Sequence, residues 1–473
     1  MKTILLAAIA ILPLAGALLT VATRTARAAW RIAIVCSVIV LPLAFGVFAT
    51  TGSKMLGPAG WGFGIDGLSA VLLPLVAGLS TCVLVASPRA DLDRRTIVGL
   101  LAVESGTLGA LVSTNVLLLT GFWALCFAPL GIEAYRSGDR VLGRAFRFSI
   151  VAAVVPLVVA MGAASWLGFR AGVAKPFDVG ALVESDVFAG RHPWVGGLVL
   201  VAGAARMGVF PLHLWVPVVM ERGRPPWAIP LVISPLGSFA IVRLGLSLSP
   251  TVFARALPAI VALGALSAAY GALLAMGQHD ARRMLGYVWV SLVGFVLVGF
   301  ASLDVRGMSG ALFHAFATAI AMTGLALVVR SVEARTGTAD MRRLGSLARR
   351  TPRIAVAYFL LSLATVGFPG GATFVSEDLV IHGLVRGHAV VATALLVATA
   401  LNGVTLIRGY KRIFLGPTSV HAPSNFARVD DMLPRERWVS LLLVIAMLVG
   451  GLLPTPLLAV REVVVSSLHQ SSP

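Results

Sequence analysis

Charged residues are scarce in this chain, and their scarcity limits the class of protein. Only 12% of the 473 residues are charged, whereas a soluble domain carries about a quarter. Hydrophobic residues make up 58% of the chain, and the mean hydropathy is +0.93. A single soluble core cannot bury this much apolar sequence. We therefore predict an all-α polytopic membrane protein.

Motifs for metal, redox or nucleotide chemistry are also missing. The three cysteines lie in separate apolar stretches, and the sequence contains no CxxC, HExxH or glycine-rich phosphate loop. We therefore expect no cofactor, no metal site and no disulfide framework on this chain. The net charge of +18 is spread over short loops between apolar runs. Such a distribution indicates membrane topology, so we expect no nucleic-acid partner.

Long apolar runs are what the chain has in excess. Fourteen reach spanning length, at about residues 3–23, 32–51, 67–88, 97–115, 116–135, 146–168, 195–219, 227–249, 256–276, 284–303, 307–330, 353–385, 388–410 and 437–460. The first run also resembles a signal peptide with small residues near Ala26–Ala29. Its length and the arginines that follow it favour a first membrane helix. Lysine and arginine favour alternate loops by roughly three to one, which predicts odd-numbered loops in the cytoplasm and both termini on the outer (periplasmic) side.

Two of the predicted spans contain helix breakers. Span seven contains RMGVFPLHLWVP, and span twelve contains GFPGGATF. Interrupted helices are tolerated in a bilayer where they pack in protein or line a wet cavity. The breaks lie five spans apart, which predicts two inverted five-helix repeats, spans 4–8 and 9–13; two unrelated proline kinks are the alternative. The corresponding regions are 1–96 (spans 1–3), 97–249 (first repeat), 250–410 (second repeat) and 411–473 (a loop and the last span).

Ionisable residues inside membrane spans are costly and therefore suggest function. The candidates for a proton path are Glu104, Arg206, His213, His314, Glu377, Asp378 and His382. Asp378, His382 and Arg386 share one helix face, and Glu377 points about 100° away. One carboxylate can therefore face a central cavity while the other heads outward.

Each candidate also has a structural alternative. Asp378 and His382 can form an ordinary helix end, and His213 can bind backbone freed by the prolines. His314 is either a relay or a packed histidine. Arg206 keeps its proton at any working pH, so it acts as a fixed charge or as the partner of Glu104.

Several stretches resemble the antiporter-like membrane subunits of respiratory complex I, Mrp-type Na⁺/H⁺ antiporters and membrane-bound hydrogenases. These stretches are FGIDGLSAVLLPLV, MGVFPLHLWVPVVM, ALLAMGQHDARRMLGYVWVSLVGFVLVGF, RTGTADMRRLGSLARRTP and GFPGGATFVSEDLVIHGL. The last is similar to the subunit M type. The resemblance implies fourteen helices in two inverted repeats, proton translocation, partner subunits and an energy-coupling inner membrane of bacteria or organelles.

The chain departs from the residues that the resemblance implies. Family members carry a glutamate in span five, lysines in spans seven and eight or eleven, and a lysine or glutamate in span twelve. Here the positions hold Ala124, Arg206, Pro235, Thr318 and Glu377.

We therefore expect a proton-translocating subunit with a reduced set of titratable groups, and without a redox or catalytic site of its own. The alternatives are a subunit of a cation/proton antiporter or inorganic-carbon uptake complex, with Na⁺ as a second coupling ion, and a non-conducting structural module.

Overall fold

The computed structural model is helical throughout the part of the chain that it describes, residues 2–51, 62–185, 192–302, 305–385, 387–417 and 430–455. We number each helix by the predicted span that it occupies. The helices are α1 (Lys2–Ala22), α2 (Ala26–Thr51), α3 (Gly67–Ala86), α4 (Arg94–Val112), α5 (Val116–Ser137, with a turn at 126–127), α6 (Arg140–Arg170), α7a (Pro193–Met207), α7b (Trp215–Arg222), α8 (Pro225–Leu246), α9 (Pro250–Gly277), α10 (Ala281–Ala301), α11 (Val305–Thr336), α12a (Pro352–Thr365), α12b (Ala372–Val385), α13 (Ala389–Leu415) and α14 (Pro434–Leu452).

Eleven helices in the described ranges are long and apolar enough to cross a membrane: α1–α6, α8–α11 and α13. The chain is thus an all-helical, multi-pass membrane protein. The other three predicted spans do not meet this criterion of length and composition, each for an identifiable reason. Spans seven and twelve are each divided into two short helices, and α14 carries three charged residues in its first turn. Residues 456–460, the predicted end of span fourteen, lie outside the described residues.

Acidic residues begin several of the helices. Backbone N–H groups donate to the carboxylates of Asp66, Asp93, Asp139 and Asp280, which cap α3, α4, α6 and α10 at 2.7, 2.8, 2.8 and 2.9 Å. A side-chain oxygen at this position satisfies an N–H group that has no partner within the helix. A sizeable share of the few carboxylates is therefore at helix starts.

Helices α10 and α11 form the centre of the bundle. Their apolar segments are 100% and 94% buried, whereas those of α2 and α13 are one-third buried and belong to the rim. Helix α9 packs closely on α10: Ser267 donates to the Val290 carbonyl at 2.9 Å, and Ser291 donates back to the Ala268 carbonyl at 2.8 Å. A Cβ on Gly271 would lie 2.5 Å from the Ser291 nitrogen, so the two backbones are in contact.

Ion pairs connect loops that lie at one end of the bundle. Arg224 binds Asp93 at 2.6 Å, Arg222 binds Asp139 at 2.8 Å, and Arg330 binds Asp91 at 2.6 Å. The hydrogen bond from Arg222 holds the pKa of Asp139 below its ordinary range. These loops join α3 to α4, α5 to α6 and α7b to α8, and Arg330 lies near the end of α11. Alternate loops thus share one face, which we call the arginine-rich face.

Sequence analysis missed two features of α8. The helix is interrupted at residues 233–235, which include Pro235, so spans seven and twelve are not alone in being irregular. Arg243, near its other end, forms an ion pair with the capping carboxylate of Asp66 on α3. This arginine inside an apolar segment therefore has a structural partner.

Candidate functional site

The break in span seven holds the first two candidate residues. Helix α7a ends at Met207, and Gly208 follows at φ 84°, a conformation that glycine adopts without steric cost. The chain resumes as a helix at Trp215. The turn between them places Arg206 and His213 inside the protein, 0% and 2% exposed.

Arg206 has few polar partners. Its Nη1 donates to the Leu231 carbonyl at 2.7 Å, while Nε and Nη2 have no hydrogen-bond partner within the described part of the chain. The guanidinium lies 5.4 Å from the ring centroid of Phe127 and 6.0 Å from that of Trp215. Aromatic faces attract cations at such distances. The site therefore holds a positive charge between aromatic rings, one carbonyl dipole and the Cys126 thiol.

His213 lies among aromatic rings. Its ring centroid is 5.7 Å from that of Phe210, 5.3 Å from Tyr270 and 6.3 Å from Tyr287. Its Nδ1 has no hydrogen-bond partner among the residues described. The ring also interacts with the Pro211 backbone. This interaction fits the expected alternative, in which the histidine binds backbone freed by the prolines.

Glu104 is buried in α4, 2% exposed, and is not paired with Arg206. Its Oε1 has no hydrogen-bond partner in the described ranges. The Cys36 thiol of α2 lies within its electrostatic reach, whereas Arg206 contacts the Cys126 thiol of α5. The conjectured Glu104–Arg206 pair is therefore absent.

The break in span twelve places Glu377 inside the protein. Gly367 has φ 65°, and a Cβ added to it would lie 2.5 Å from Glu377 Oε2. The missing side chain thus makes room for the carboxylate, which is 6% exposed. Thr399 Oγ1 of α13 donates to Oε2 at 3.2 Å, and Oε1 has no protein partner among the described residues.

His314 of α11 lies beside the neighbour of Glu377. Its Nδ1 is 3.0 Å from Ser376 Oγ, and its ring stacks on Phe295 at 5.3 Å. Ser376 Oγ also lies 2.8 Å from the Thr373 carbonyl. The serine hydroxyl has one proton, so Nδ1–H donates to Ser376 Oγ in one tautomer of His314, and Nδ1 accepts from Ser376 in the other. Nε2 has no hydrogen-bond partner among the described residues, and the ring also lies near the Leu292 backbone.

Asp378 and His382 lie on the outside of α12b. Their side chains are 54% and 64% exposed, and His382 Nδ1 is 3.2 Å from Asp378 Oδ1. Adjacent carboxylates thus face different surroundings, Glu377 the protein interior and Asp378 the outside. Arg386, the last member of the predicted outer stripe, lies outside the described residues.

Uncharged polar groups that sequence analysis did not single out connect the two breaks. The Phe210 N–H donates to Ser267 Oγ at 3.3 Å, and Asn402 Nδ2 of α13 donates to Ser291 Oγ at 2.8 Å. Asn402 lies one turn from Thr399, which binds Glu377. We call Ser267, Ser291, Asn402 and Thr399 the polar seam. Its one sequence signal is a set of polar residues inside apolar spans.

Two of the positions where the resemblance implied lysines hold residues with a structural role in their own helix. Thr318 Oγ1 is bonded to the His314 carbonyl of its own helix at 2.5 Å. Pro235 lies in the interruption of α8. Neither position presents a titratable group, so the ionisable groups buried at the breaks are Arg206, His213 and Glu377, with His314 beside the second.

A multi-pass helical bundle with two spans interrupted at buried ionisable groups is the architecture of an ion-translocating membrane protein. Residues 144–402 match the family described as NADH:quinone oxidoreductase/Mrp antiporter, transmembrane. This match covers more than half of the chain, and the chain belongs to that family.

Relatives and solved structures agree with this assignment. The chain is 26% identical over 423 residues to the chloroplastic NAD(P)H-quinone oxidoreductase chain 4 of Cryptomeria japonica, covering 87% of this chain and 84% of the relative. It is 28% identical over 410 residues to chain 4 of Acaryochloris marina, covering 83% and 75%. A chain of respiratory complex I from Thermus thermophilus superposes with a TM-score of 0.86 at 25% identity, covering 98% and 99%. A chain of the Mrp complex from a Dietzia species gives 0.82 at 19% identity, covering 99% and 97%, and shows the fold alone.

Proposed function

We propose that this chain is a proton-translocating subunit of a membrane complex related to complex I, and that Glu377 is its principal titrating group. The observation that carries the proposal is the environment of Glu377. It is a buried carboxylate with one neutral hydrogen bond, one oxygen without a protein partner and no cation paired with it among the described residues. A buried carboxylate of this kind can exist with or without a proton, whereas one locked in an ion pair stays charged.

The first half supplies a fixed charge in this proposal. Arg206 remains protonated and raises the positive potential at the first break, since none of the described carboxylates pairs with it. His213 and His314 are the groups that can receive and pass on a proton. His314 is suited to this because it is buried beside Ser376, the neighbour of Glu377, and its Nε2 has no hydrogen-bond partner among the described residues. Glu104 is proposed as a second carboxylate of the first half, without a direct contact to Arg206.

We further propose that regions 97–249 and 250–410 are inverted repeats and that the complete chain has fourteen spans. Corresponding features support this: both breaks follow a helix that ends near a glycine at positive φ, Gly208 at 84° and Gly367 at 65°. Partner subunits supply the driving reaction, because the motifs for redox and nucleotide chemistry are missing from the sequence. The names of the relatives, quinone oxidoreductase chains, point to a redox-driven complex. Asp378 and His382 would form the outer end of the path, where both side chains are more than half exposed and water can replace either one.

Glu377→Gln tests the proposal, with Asp378→Asn as a matched control at the adjacent residue. Glutamine keeps the volume and can still accept from Thr399, so the complex should assemble normally. Coupled proton transport in membrane vesicles, followed with a pH-sensitive dye, should fall at least about a hundredfold. Asp378→Asn removes an exposed carboxylate and should lower transport much less. Full transport by Glu377→Gln in an assembled complex would refute the assignment.

Identifying the proteins that co-purify with the chain distinguishes the kinds of complex. Quinone-reductase or hydrogenase subunits fit the proposal. Further antiporter subunits, together with Na⁺-dependent transport, would instead favour a cation/proton antiporter.

A further inference from the structure

A cleft of about 330 Å³ lies at the arginine-rich face between α1, α4, α5 and α8. Its walls are mainly apolar: Val21 of α1, Val98 and Ala102 of α4, Ile132 of α5 and Trp227 of α8. Its mouth carries four arginines and one carboxylate: Arg94, Arg95, Arg136, Arg224 and Glu133. None of these residues has a role in the proposed proton path.

The charges at the mouth do not cancel. Arg224 is neutralised, because it binds Glu133 at 3.1 Å and Asp93 at 2.6 Å. Arg94 donates to the Thr23 carbonyl, and this neutral acceptor does not cancel the charge of the guanidinium. Arg95 and Arg136 are exposed and have no ion-pair partner in the described part of the chain. The four arginines and the two carboxylates, Glu133 and Asp93, therefore leave a net charge of +2 beside an apolar cleft.

The direction in which the cleft opens selects the kind of ligand. Val21 and Ile132 at its edge are 58% and 52% exposed, and Leu18 and Leu19, one turn back along α1, are also exposed. Such faces of membrane helices contact acyl chains, so the cleft opens toward the membrane rather than only toward water. Basic pockets between membrane helices, at the level of the headgroups, suit anionic lipids.

We propose that this cleft binds one anionic phospholipid of the surrounding membrane. Arg95 and Arg136 hold its phosphate, with Arg94 adding charge from the loop side. The first part of an acyl chain lies along Val98, Ala102 and Ile132. Bound in this way, the lipid fills the space between α1 and α5 and joins two helices of the rim.

The test compares the purified complex, extracted in mild detergent from membranes of one lipid composition, for wild type and variants. Phospholipid per chain is counted by phosphorus and mass analysis. The double variant Arg95→Gln/Arg136→Gln should bind the anionic lipid about thirtyfold more weakly, from the contribution of a basic residue near a membrane surface. The matched control is Arg140→Gln/Arg144→Gln, which removes equal charge from exposed positions of α6 outside the cleft. It should retain the lipid.

A second variant keeps all charges and fills the wall. Val98→Trp should displace the lipid, which separates a cleft from a diffuse attraction to a basic surface. Equal loss in the α6 control, retention of lipid by Val98→Trp, or equal retention of a zwitterionic phosphatidylcholine in place of the anionic lipid would each overturn the proposal. A partner subunit's helix in the cleft of the intact complex would do so as well.

Discussion

The fit between Gly367 and Glu377 makes a specific prediction, because a second glycine in the same break serves as its control. Gly367 and Gly370 both have positive φ, 65° and 95°. Alanine strains the backbone at either position, by about 1–2 kcal/mol or more. Only at Gly367 does the new Cβ meet the carboxylate, 2.5 Å from Glu377 Oε2; at Gly370 it meets nothing within 4 Å.

The expected losses of stability and transport depend on which atoms can move to make room for the new Cβ. The Glu377 carboxylate is the end of a flexible side chain, so Gly367→Ala should displace it and break the bond from Thr399, which costs about 1 kcal/mol in addition to the backbone term. Both variants should thus assemble, with similar modest losses of thermal stability. A displaced catalytic group can cost about a hundredfold in rate, so we expect that loss of coupled transport for Gly367→Ala.

Thermal unfolding of the purified complex and dye-monitored proton transport in vesicles are the two measurements. Gly370→Ala should retain most of its transport despite its backbone strain. If it loses transport as severely as Gly367→Ala, the effect comes from the backbone of the break and the argument from the carboxylate fails.

Three further predictions concern other parts of the molecule. Thr399→Val should lower the free energy of unfolding by only about 1 kcal/mol. It should also shift the pH dependence of transport, because Glu377 loses the hydrogen bond from Thr399. An unchanged pH dependence would contradict this. Arg206→Lys should retain transport and Arg206→Met should lose at least about tenfold, since the proposed role is a fixed charge; equal activity of the two would exclude that role. Asp139→Asn should lower thermal stability at neutral pH. The pKa of Asp139 is lowered in the folded protein, so its stabilising effect is present above its ordinary pKa and is lost as the pH falls through the folded value. The difference from wild type should therefore narrow below about pH 4, as a melting series can show.

The breaks could be predicted because proline and glycine act locally. Pro369, Gly370 and Gly371 interrupt any apolar helix, and the 100° step between Glu377 and Asp378 requires them to face different surroundings. The structure places the first inside and the second outside. The same reasoning applies to Pro235, because a proline inside an apolar segment also interrupts the helix there.

The polar seam could not be predicted because serine and threonine are ambiguous inside apolar spans. Thr318 and Thr405 bind carbonyls of their own helices, at 2.5 and 2.8 Å, as such residues commonly do. Ser291 and Asn402 instead bond between helices. Which behaviour a residue shows depends on the helix that faces it, and one sequence does not contain that information. The missing Glu104–Arg206 contact has the same origin.

The reciprocal serine bonds between α9 and α10 limit how the protein can move. The backbones of α9 and α10 touch at Gly271, and one serine hydrogen bond runs in each direction between the helices. The helices cannot slide past each other by a fraction of a turn without breaking both hydrogen bonds. The first two helices of region 250–410 therefore move as one unit. A change of state that crosses this pair of helices must then occur through reorientation of single side chains or through a change of charge, while the two backbones keep their relative position.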